Sequence, residues 1–267
     1  MVKAERSLAP YDLNGIELIG VELKNANFSS ADLSDADLRI AFLKNANFND
    51  ANLTNINLHS AYLVGAELQN AELSNANLGN TYMEGANLEN ANLRGTYLKD
   101  ANLGSANLEN ADLTDSNLNT ANLAGSDLLK TNLSNANLQS ADLGGVSLGS
   151  VSDLTGANLQ YANLERADLR NASLGSISDL TGANLQYAMI DNSILLEPEL
   201  YQTKIKVIKS TCNWEQTTYQ IYEYNEKGEI IGKVDDSVIQ QYVEQLKQDK
   251  ASDPENPVDC SKWQDAR

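Results

Sequence analysis

Residues 101–115 read ANLGSANLENADLTD, which is three copies of one five-residue unit. The same period extends far beyond this stretch, because from Leu13 to Leu148 every fifth residue is Leu, Phe or Met at 28 consecutive positions. If the large residue is called i, position i−2 is usually Ala and position i−1 is usually Asp, Asn or Glu. The two residues after i are mostly polar or Gly. A repeat sustained over this length decides the architecture of the chain.

The five-residue period fits neither an α-helix nor an uninterrupted strand. Residues i−2 and i alternate with i−1, as in a three-residue strand that places two side chains on one face. The Asn, Gly, Ser and Asp residues at the next two positions are typical of tight turns. We therefore predict a coil of short strands and turns, whose inward row is buried only when one coil stacks on the next.

A second period of twenty residues gives the number of units in one coil. The segment Lys24–Phe28 (KNANF) recurs as Lys44–Phe48, twenty residues later. Phe42, Tyr62 and Tyr82 occupy the i−1 position at the same interval. Four units per coil predict an all-β solenoid with four sides, on one of which these three aromatic residues form an exposed stack.

This pattern resembles the pentapeptide-repeat family, whose consensus A(D/N)LXX the chain matches from about residue 11 to residue 195. The resemblance implies a right-handed quadrilateral β-helix, with positions i and i−2 inside and the other three outside. The handedness comes from the resemblance alone. Counting the large residues predicts about nine coils over residues 11–196, a stack roughly 45 Å long at the usual strand spacing of about 4.8 Å.

The period slips by one residue after Leu148 and again after Leu174. Residues 147–162 (SLGSVSDLTGANLQYA) and 173–188 (SLGSISDLTGANLQYA) differ at a single position, which indicates an internal duplication in which each copy carries one extra residue. We predict that each extra residue forms a bulge at a corner of the coil. Slippage tolerated by a solenoid is the simpler interpretation, and a pair of functional loops is the alternative.

The two ends of the solenoid require covers, because unpaired strand edges promote aggregation. Residues 1–10 are predicted to cap the N-terminal end, where Tyr11, Ile16 and Val21 fill the usually small i−2 position. At the other end, the Ala/Asn/Leu character stops at about residue 197. Residues 197–267 are predicted to form a small α+β module that caps the solenoid.

Three segments define this C-terminal module. Residues 204–209 alternate like a strand, and residues 217–224 and 229–234 flank a plausible hairpin turn. Asp235, Asp236 and Ser237 offer N-caps for a helix that extends to about Asp249.

Both cysteines of the chain, Cys212 and Cys260, lie in this module. A disulfide between them would tie the proline-containing tail to a strand and contribute about 4 kcal/mol in the chain-entropy model. Two free thiols in a reducing cytosol are the alternative. No signal peptide is expected from the first 30 residues, so the sequence leaves the compartment open: cytoplasmic, or periplasmic or lumenal if the cysteines pair and a leader was removed.

Composition excludes several ligand classes. The chain holds 19 Lys and Arg against 37 Asp and Glu, a formal net charge of −18. Direct binding to nucleic acid is therefore not expected, since it requires a basic footprint, and an anionic membrane surface is disfavoured for the same reason. No apolar run is long enough for a transmembrane helix, so membrane insertion is not expected either.

The sequence predicts no catalytic residues, no cofactor and no metal site. The single histidine, His59, occupies an outward position, where a solenoid offers no pocket. The many carboxylates also fall on outward positions, where we expect ordinary pKa values. No phosphate-binding glycine loop and no EF-hand spacing occurs. We therefore expect a protein that is not an enzyme; chemistry confined to residues 200–267 is the least favoured hypothesis.

Two functions remain in view. The favoured one is a structural or protein-binding scaffold, with Phe42, Tyr62 and Tyr82 as the candidate interface, since aromatic residues are preferred binding anchors. Stacking of these rings also stabilises neighbouring coils, so a purely structural role stays open. The alternative, implied by the family resemblance, is an acidic DNA mimic that binds a DNA-binding protein such as gyrase. The partner is expected to be a protein, and the oligomeric state is left open.

Overall fold

The computed structural model describes residues 11–148, 152–170, 180–191, 218–220, 222–224 and 230–233. Over the repeat, each i−1 residue forms a parallel bridge with the residue one coil further, as in Asp12 with Asp32 and Asn102 with Asn122. Four such bridges follow one another in every twenty residues, so each coil has four sides. The predicted coil of twenty residues is confirmed.

The inward rows form one continuous hydrophobic core. The large residue of each unit is buried from Leu23 onward, and the Ala at i−2 beside it is buried as well. Phe28 and Phe48 stack on each other inside the core, with ring centroids 4.9 Å apart and planes inclined by 3°. Each such leucine contributes about 1.5–3 kcal/mol by burial. These two rows fill the interior of the described coils, so the side chains that remain exposed lie on their outer walls.

The corners of the coil are β-turns. The backbone N–H of Ala26 donates to the carbonyl of Leu23 at 3.0 Å, which closes a turn around Lys24 and Asn25. Asn25 has a φ of 56°, and the second turn residue of the other described units repeats this left-handed conformation. Asn, Asp and Gly adopt it at low cost, which explains their preference for this position.

The Asp or Asn at position i−1 supports the turn that follows it. The backbone N–H of Asn49 donates to Oδ1 of Asn47 at 2.9 Å, and that of Ser34 donates to Oδ1 of Asp32 at 3.0 Å. The same bond recurs along the repeat. These short side chains are preferred here because they satisfy a backbone donor at the corner while leaving the inward rows undisturbed.

The slip after Leu148 changes the register of the bridges. Asp127 pairs with Ser147, twenty residues on, whereas Asn132 pairs with Asp153, twenty-one residues on. The four bridges that start at Asn132 to Ser147 span the first added residue, and those that start at Asn163 and Asp168 span the second. All six join residues twenty-one apart, so the parallel pairing continues across both slips. The predicted bulges themselves fall on residues 149–151 and 171–179, outside the described residues.

Four short strands belong to the C-terminal part of the described chain: β1 (Met189–Asp191), β2 (Thr218–Gln220), β3 (Tyr222–Tyr224) and β4 (Ile230–Lys233). β1 pairs with β2 in parallel, and β3 pairs with β4 antiparallel with an irregular register.

This pairing differs from the prediction in one respect. The strand expected over residues 217–224 is divided, because its first half extends the solenoid ladder on β1 and only its second half enters the hairpin. The predicted N-terminal cap (1–10), the strand at 204–209, the helix from Asp235 to Asp249 and both cysteines, Cys212 and Cys260, lie outside the described residues.

Candidate interaction surface

The three aromatic residues singled out by the twenty-residue period stack on one wall of the solenoid. The ring centroids of Phe42 and Tyr62 are 5.0 Å apart and those of Tyr62 and Tyr82 are 4.7 Å apart, with nearly parallel planes. The exposed fractions of the three residues are 39%, 37% and 46%. The predicted exposed stack is confirmed, whereas its role as an interface stays a prediction.

Stacking determines what the three rings offer to solvent. Both faces of Tyr62 and one face each of Phe42 and Tyr82 are covered by a neighbouring ring, so the stack presents mainly ring edges and the hydroxyl groups of Tyr62 and Tyr82. The edge of an aromatic ring is electropositive and its face is electronegative. This wall therefore favours apolar groups and anions over a flat base or sugar that must lie on a ring face.

We call this side of the solenoid the aromatic face. Its row of i−1 residues begins at Glu22, continues through the three rings to Asn102, and is bordered by a corner on each side. Ile40 lies on one corner and is 51% exposed, although its φ of 59° is strained for a β-branched residue. Val64, on the other corner, is half-buried. Aliphatic groups thus flank the stack.

Between Glu22 and Asn102, four basic residues lie on the corners that border the aromatic face, and only one of them, Arg39, pairs with a described carboxylate. Among residues 11–148, 152–170 and 180–191, five basic side chains pair with a carboxylate, whereas Lys24, Lys44 and Lys99 pair with none. All three unpaired lysines lie on the corners that border the aromatic face. The paired residues are Arg39, Arg94, Lys130, Arg166 and Arg170.

The opposite side of the solenoid, half a coil away, is an acidic face. Its i−1 row alternates acids with amides over much of its length, and each amide can donate to an acid one coil below. Nδ2 of Asn52 donates to Oδ1 of Asp32 at 3.0 Å, and Nδ2 of Asn92 donates to Glu72 at 2.8 Å. The row is Asp12, Asp32, Asn52, Glu72, Asn92, Asp112, Asn132 and Asp153.

Comparison with known proteins agrees with this architecture. The family described as pentapeptide repeats matches in eight copies, over residues 12–40, 41–80, 81–119, 116–151 and 152–175. The chain belongs to the pentapeptide-repeat family. This is a family of right-handed quadrilateral β-helices, the fold that the sequence pattern implies.

Three solved pentapeptide-repeat structures illustrate the similarity. HetL from the cyanobacterium Nostoc, involved in heterocyst differentiation regulation, is 32% identical, covers 70% of this chain and 81% of its own, and has a TM-score of 0.32. Rfr23 from the cyanobacterium Cyanothece is 33% identical over 46% of this chain and 87% of its own, with a TM-score of 0.31. QnrB1, a plasmid-mediated fluoroquinolone resistance protein, is 21% identical, covers 76% of this chain and 95% of its own, and has a TM-score of 0.45. No curated protein matches the chain.

The carboxylates of this pentapeptide-repeat protein correct one expectation. Ordinary pKa values were expected on the walls, but hydrogen bonds from the hydroxyl and backbone N–H of Ser34 lower the pKa of Asp32. Burial of Asp112 acts to raise its pKa, but bonds from Thr114 and Arg94 outweigh it and the pKa is lowered. These shifts oppose proton donation near neutral pH, so they mark corner-supporting carboxylates rather than general acids.

Tyr97 is a further exposed aromatic residue, at the i−1 position of a neighbouring side, that the sequence pattern did not single out. A Cβ atom at Gly79 would lie 2.8 Å from the Tyr97 ring and 3.0 Å from Nδ1 of His59. Gly79 therefore leaves room for both side chains. His59 is half-buried and its backbone N–H donates to Asn57, which is a packing role and not an arrangement for nucleophilic catalysis.

Two absences apply to the described part of the chain. No group of three or more His, Cys, Asp or Glu side chains there is arranged to hold a metal ion. Likewise, the described residues contain no helix with the length and apolar character needed to cross a membrane.

Proposed function

We propose that this pentapeptide-repeat protein is a non-enzymatic scaffold that binds another protein through its aromatic face. The supporting observation is the stack of Phe42, Tyr62 and Tyr82. These rings are about 40% exposed on the outer wall of a solenoid whose inward Leu and Ala residues are buried. Three rigid rings form a preorganised anchor, because little side-chain entropy is lost when a partner covers them.

The surroundings of the stack support the same role. A partner that covers the rings also covers Ile40 and Val64, whose aliphatic groups lie on the flanking corners. A central apolar anchor with a polar rim is the usual anatomy of a protein interface. The filled inward rows favour recognition on this wall over binding inside the coil.

The test removes the rings while keeping the repeat intact. The triple variant Phe42→Asn, Tyr62→Asn and Tyr82→Asn introduces the residue most typical of position i−1, which supports the following corner elsewhere in the repeat. Tyr97→Asn is the matched control, since it makes the same change at an exposed ring on another side. Quantitative affinity capture from an extract of the source cells should recover a partner with wild type and with the control, but not with the triple variant.

Equal recovery of the same partners by all three proteins would contradict the proposal. Circular dichroism and thermal melts of each variant verify that a loss of capture comes from the surface and not from unfolding.

The second candidate function is an acidic DNA mimic that binds a DNA-binding protein such as gyrase. Its support is the acidic face, whose carboxylates recur along the rod at coil spacing. Inhibition of gyrase supercoiling at micromolar protein, reduced by neutralising Asp32, Glu72 and Asp112 to Asn or Gln, would favour this candidate. No inhibition at that concentration would remove it.

We also propose that the solenoid comprises about nine coils and that residues 197–267 form a module that closes its C-terminal end. Pairing of β2 with β1 supports this arrangement, since β2 occupies the open edge of the last described side. A disulfide between Cys212 and Cys260 would brace the module. Intact mass after thiol alkylation, with and without reductant, tests the disulfide, because two alkylated thiols without reductant would exclude it.

A further inference from the structure

We infer that the aromatic face is built to bind an extended acidic peptide segment of its partner, with apolar side chains between the carboxylates. This inference rests on the proposed function and names the chemistry of the partner at the same surface. Its starting point is the pairing of charges around the rings and not the rings alone.

The unpaired lysines provide the first argument. In an acidic chain, a lysine on the surface readily finds a carboxylate, and Lys130 does so with Glu109 at 3.0 Å. Lys24 and Lys44 lie on one corner of the aromatic face and Lys99 on the other, and none of them pairs with a described carboxylate. The same face and corners also carry Glu22, Glu84 and Asp100, so the complementarity to a segment that carries carboxylates is local to the lysine positions.

The orientation of the rings provides the second argument. Stacking covers both faces of Tyr62 and the inner faces of Phe42 and Tyr82, whose outer faces point along the ladder toward Glu22 and Asn102. A partner that approaches the wall therefore contacts mainly electropositive edges and the two tyrosine hydroxyls, which can donate to carboxylates. A single-stranded nucleic acid is also anionic, but its main anchor on proteins is the stacking of bases on open ring faces. The geometry therefore favours an acidic peptide over a nucleic acid.

The length of the aromatic face, measured between its flanking lysines, sets the number of peptide residues that it can contact. Lys24 lies one coil below Phe42 and Lys99 one coil above Tyr82, so the surface spans four coil steps. At about 4.8 Å per step this is roughly 19 Å, the length of about six residues in an extended chain. Side chains that alternate along such a chain can place apolar groups on the ring edges and carboxylates near the flanking lysines.

The experiment measures fluorescence anisotropy of a labelled peptide of about eight residues, in which Glu alternates with Leu. Matched peptides with Gln or Lys in place of Glu serve as ligand controls. Wild type should bind the Glu peptide at least about tenfold more tightly than the Gln peptide at low salt, and the difference should shrink as salt screens the charges. Lys24→Gln with Lys44→Gln should lose about tenfold in affinity for the Glu peptide, whereas the control Lys130→Gln should lose almost none.

Other outcomes overturn the inference in distinguishable ways. Equal affinity for the Glu, Gln and Lys peptides would exclude acid recognition while leaving partner binding by the rings, which the triple variant tests separately. Tighter binding of a labelled oligothymidine than of the Glu peptide would assign the surface to nucleic acid. Self-association in light scattering that disappears in the ring triple variant would assign it to a second copy of the chain. Thermal melts of the lysine variants verify that each is folded.

Discussion

The aromatic face and the acidic face occupy opposite sides of the same coils and share the same inward rows. Beneath both, Leu and Ala are buried to the same extent, so the interior does not distinguish them. On the outside, one side stacks rings and leaves lysines unpaired, while the other interleaves carboxylates with amides. The inward positions therefore specify the fold, whereas the outward positions can vary between the two faces and are available for recognition.

The largest expected effect tests whether the two faces share their core. Leu63 lies inside the aromatic face and Leu73 inside the acidic face, and both are fully buried. Leu→Ala at either position should lower the free energy of unfolding by about 2–5 kcal/mol, because each leaves a cavity in a close-packed interior. Chemical denaturation measures both. A cost that differs strongly between the two sites would show that the faces do not rest on an equivalent core.

The next effect separates the outward rows. Tyr62→Asn removes both ring stacks and should cost about 1–2 kcal/mol. Glu72→Asn, at the equivalent position of the acidic face, should change the free energy of unfolding by less than about 0.5 kcal/mol, because Asn can also accept the hydrogen bond that the backbone N–H of Ser74 donates to Glu72. Chemical denaturation of the two variants makes the comparison. If both substitutions are neutral, the stack contributes nothing to the stability of the fold.

A third prediction concerns the corner beside the aromatic face. Ile40 and Asn80 occupy equivalent corner positions two coils apart, with φ values of 59° and 56°. Ile40→Asn should raise stability by about 1 kcal/mol and Asn80→Ile should lower it by a similar amount, because a β-branched residue is strained in this conformation. Thermal melts that show no gain for Ile40→Asn would indicate that contacts of the isoleucine compensate for its strain.

The smallest effect is the pH dependence of the acidic face. The pKa values of Asp32 and Asp112 are lowered in the folded state. Their contribution to stability is therefore complete above the ordinary pKa of aspartate and is lost as pH falls through the lower, folded values. Melting temperatures should decrease when the pH is lowered below about 4. The double variant Asp32→Asn and Asp112→Asn should remove part of this decrease. At about pH 7, the substitution at Asp112 should lower the free energy of unfolding by less than about 1 kcal/mol.

The ring triple variant is the control for this titration, since none of its altered side chains ionises in acid. It should keep the full acid-induced fall in melting temperature. An unchanged acid profile in the aspartate variant would mean that other carboxylates carry the effect.

The sequence predicted the repeat and the aromatic stack because both follow from fixed spacing. A residue at i−1 in one unit must lie beside the residue twenty positions later, so Phe42, Tyr62 and Tyr82 had to meet. The pKa shift of Asp32 was not predicted, since it depends on the rotamer that lets the Ser34 hydroxyl donate to the carboxylate at 2.6 Å. Buried hydroxyls such as that of Thr131, which donates to the carbonyl of Leu108, are likewise visible only in the folded coil.

What the sequence determined by itself is the four-sided coil, its inward row and the side on which the rings stack. A strict period forces these features, since each unit can bury its apolar residues only against the units one coil away. The tertiary structure alone decided which lysines find a carboxylate and how the added residue after Leu148 is absorbed into a twenty-one-residue register. Those outcomes depend on side-chain conformations and distances between neighbouring corners, which the five-residue period does not specify.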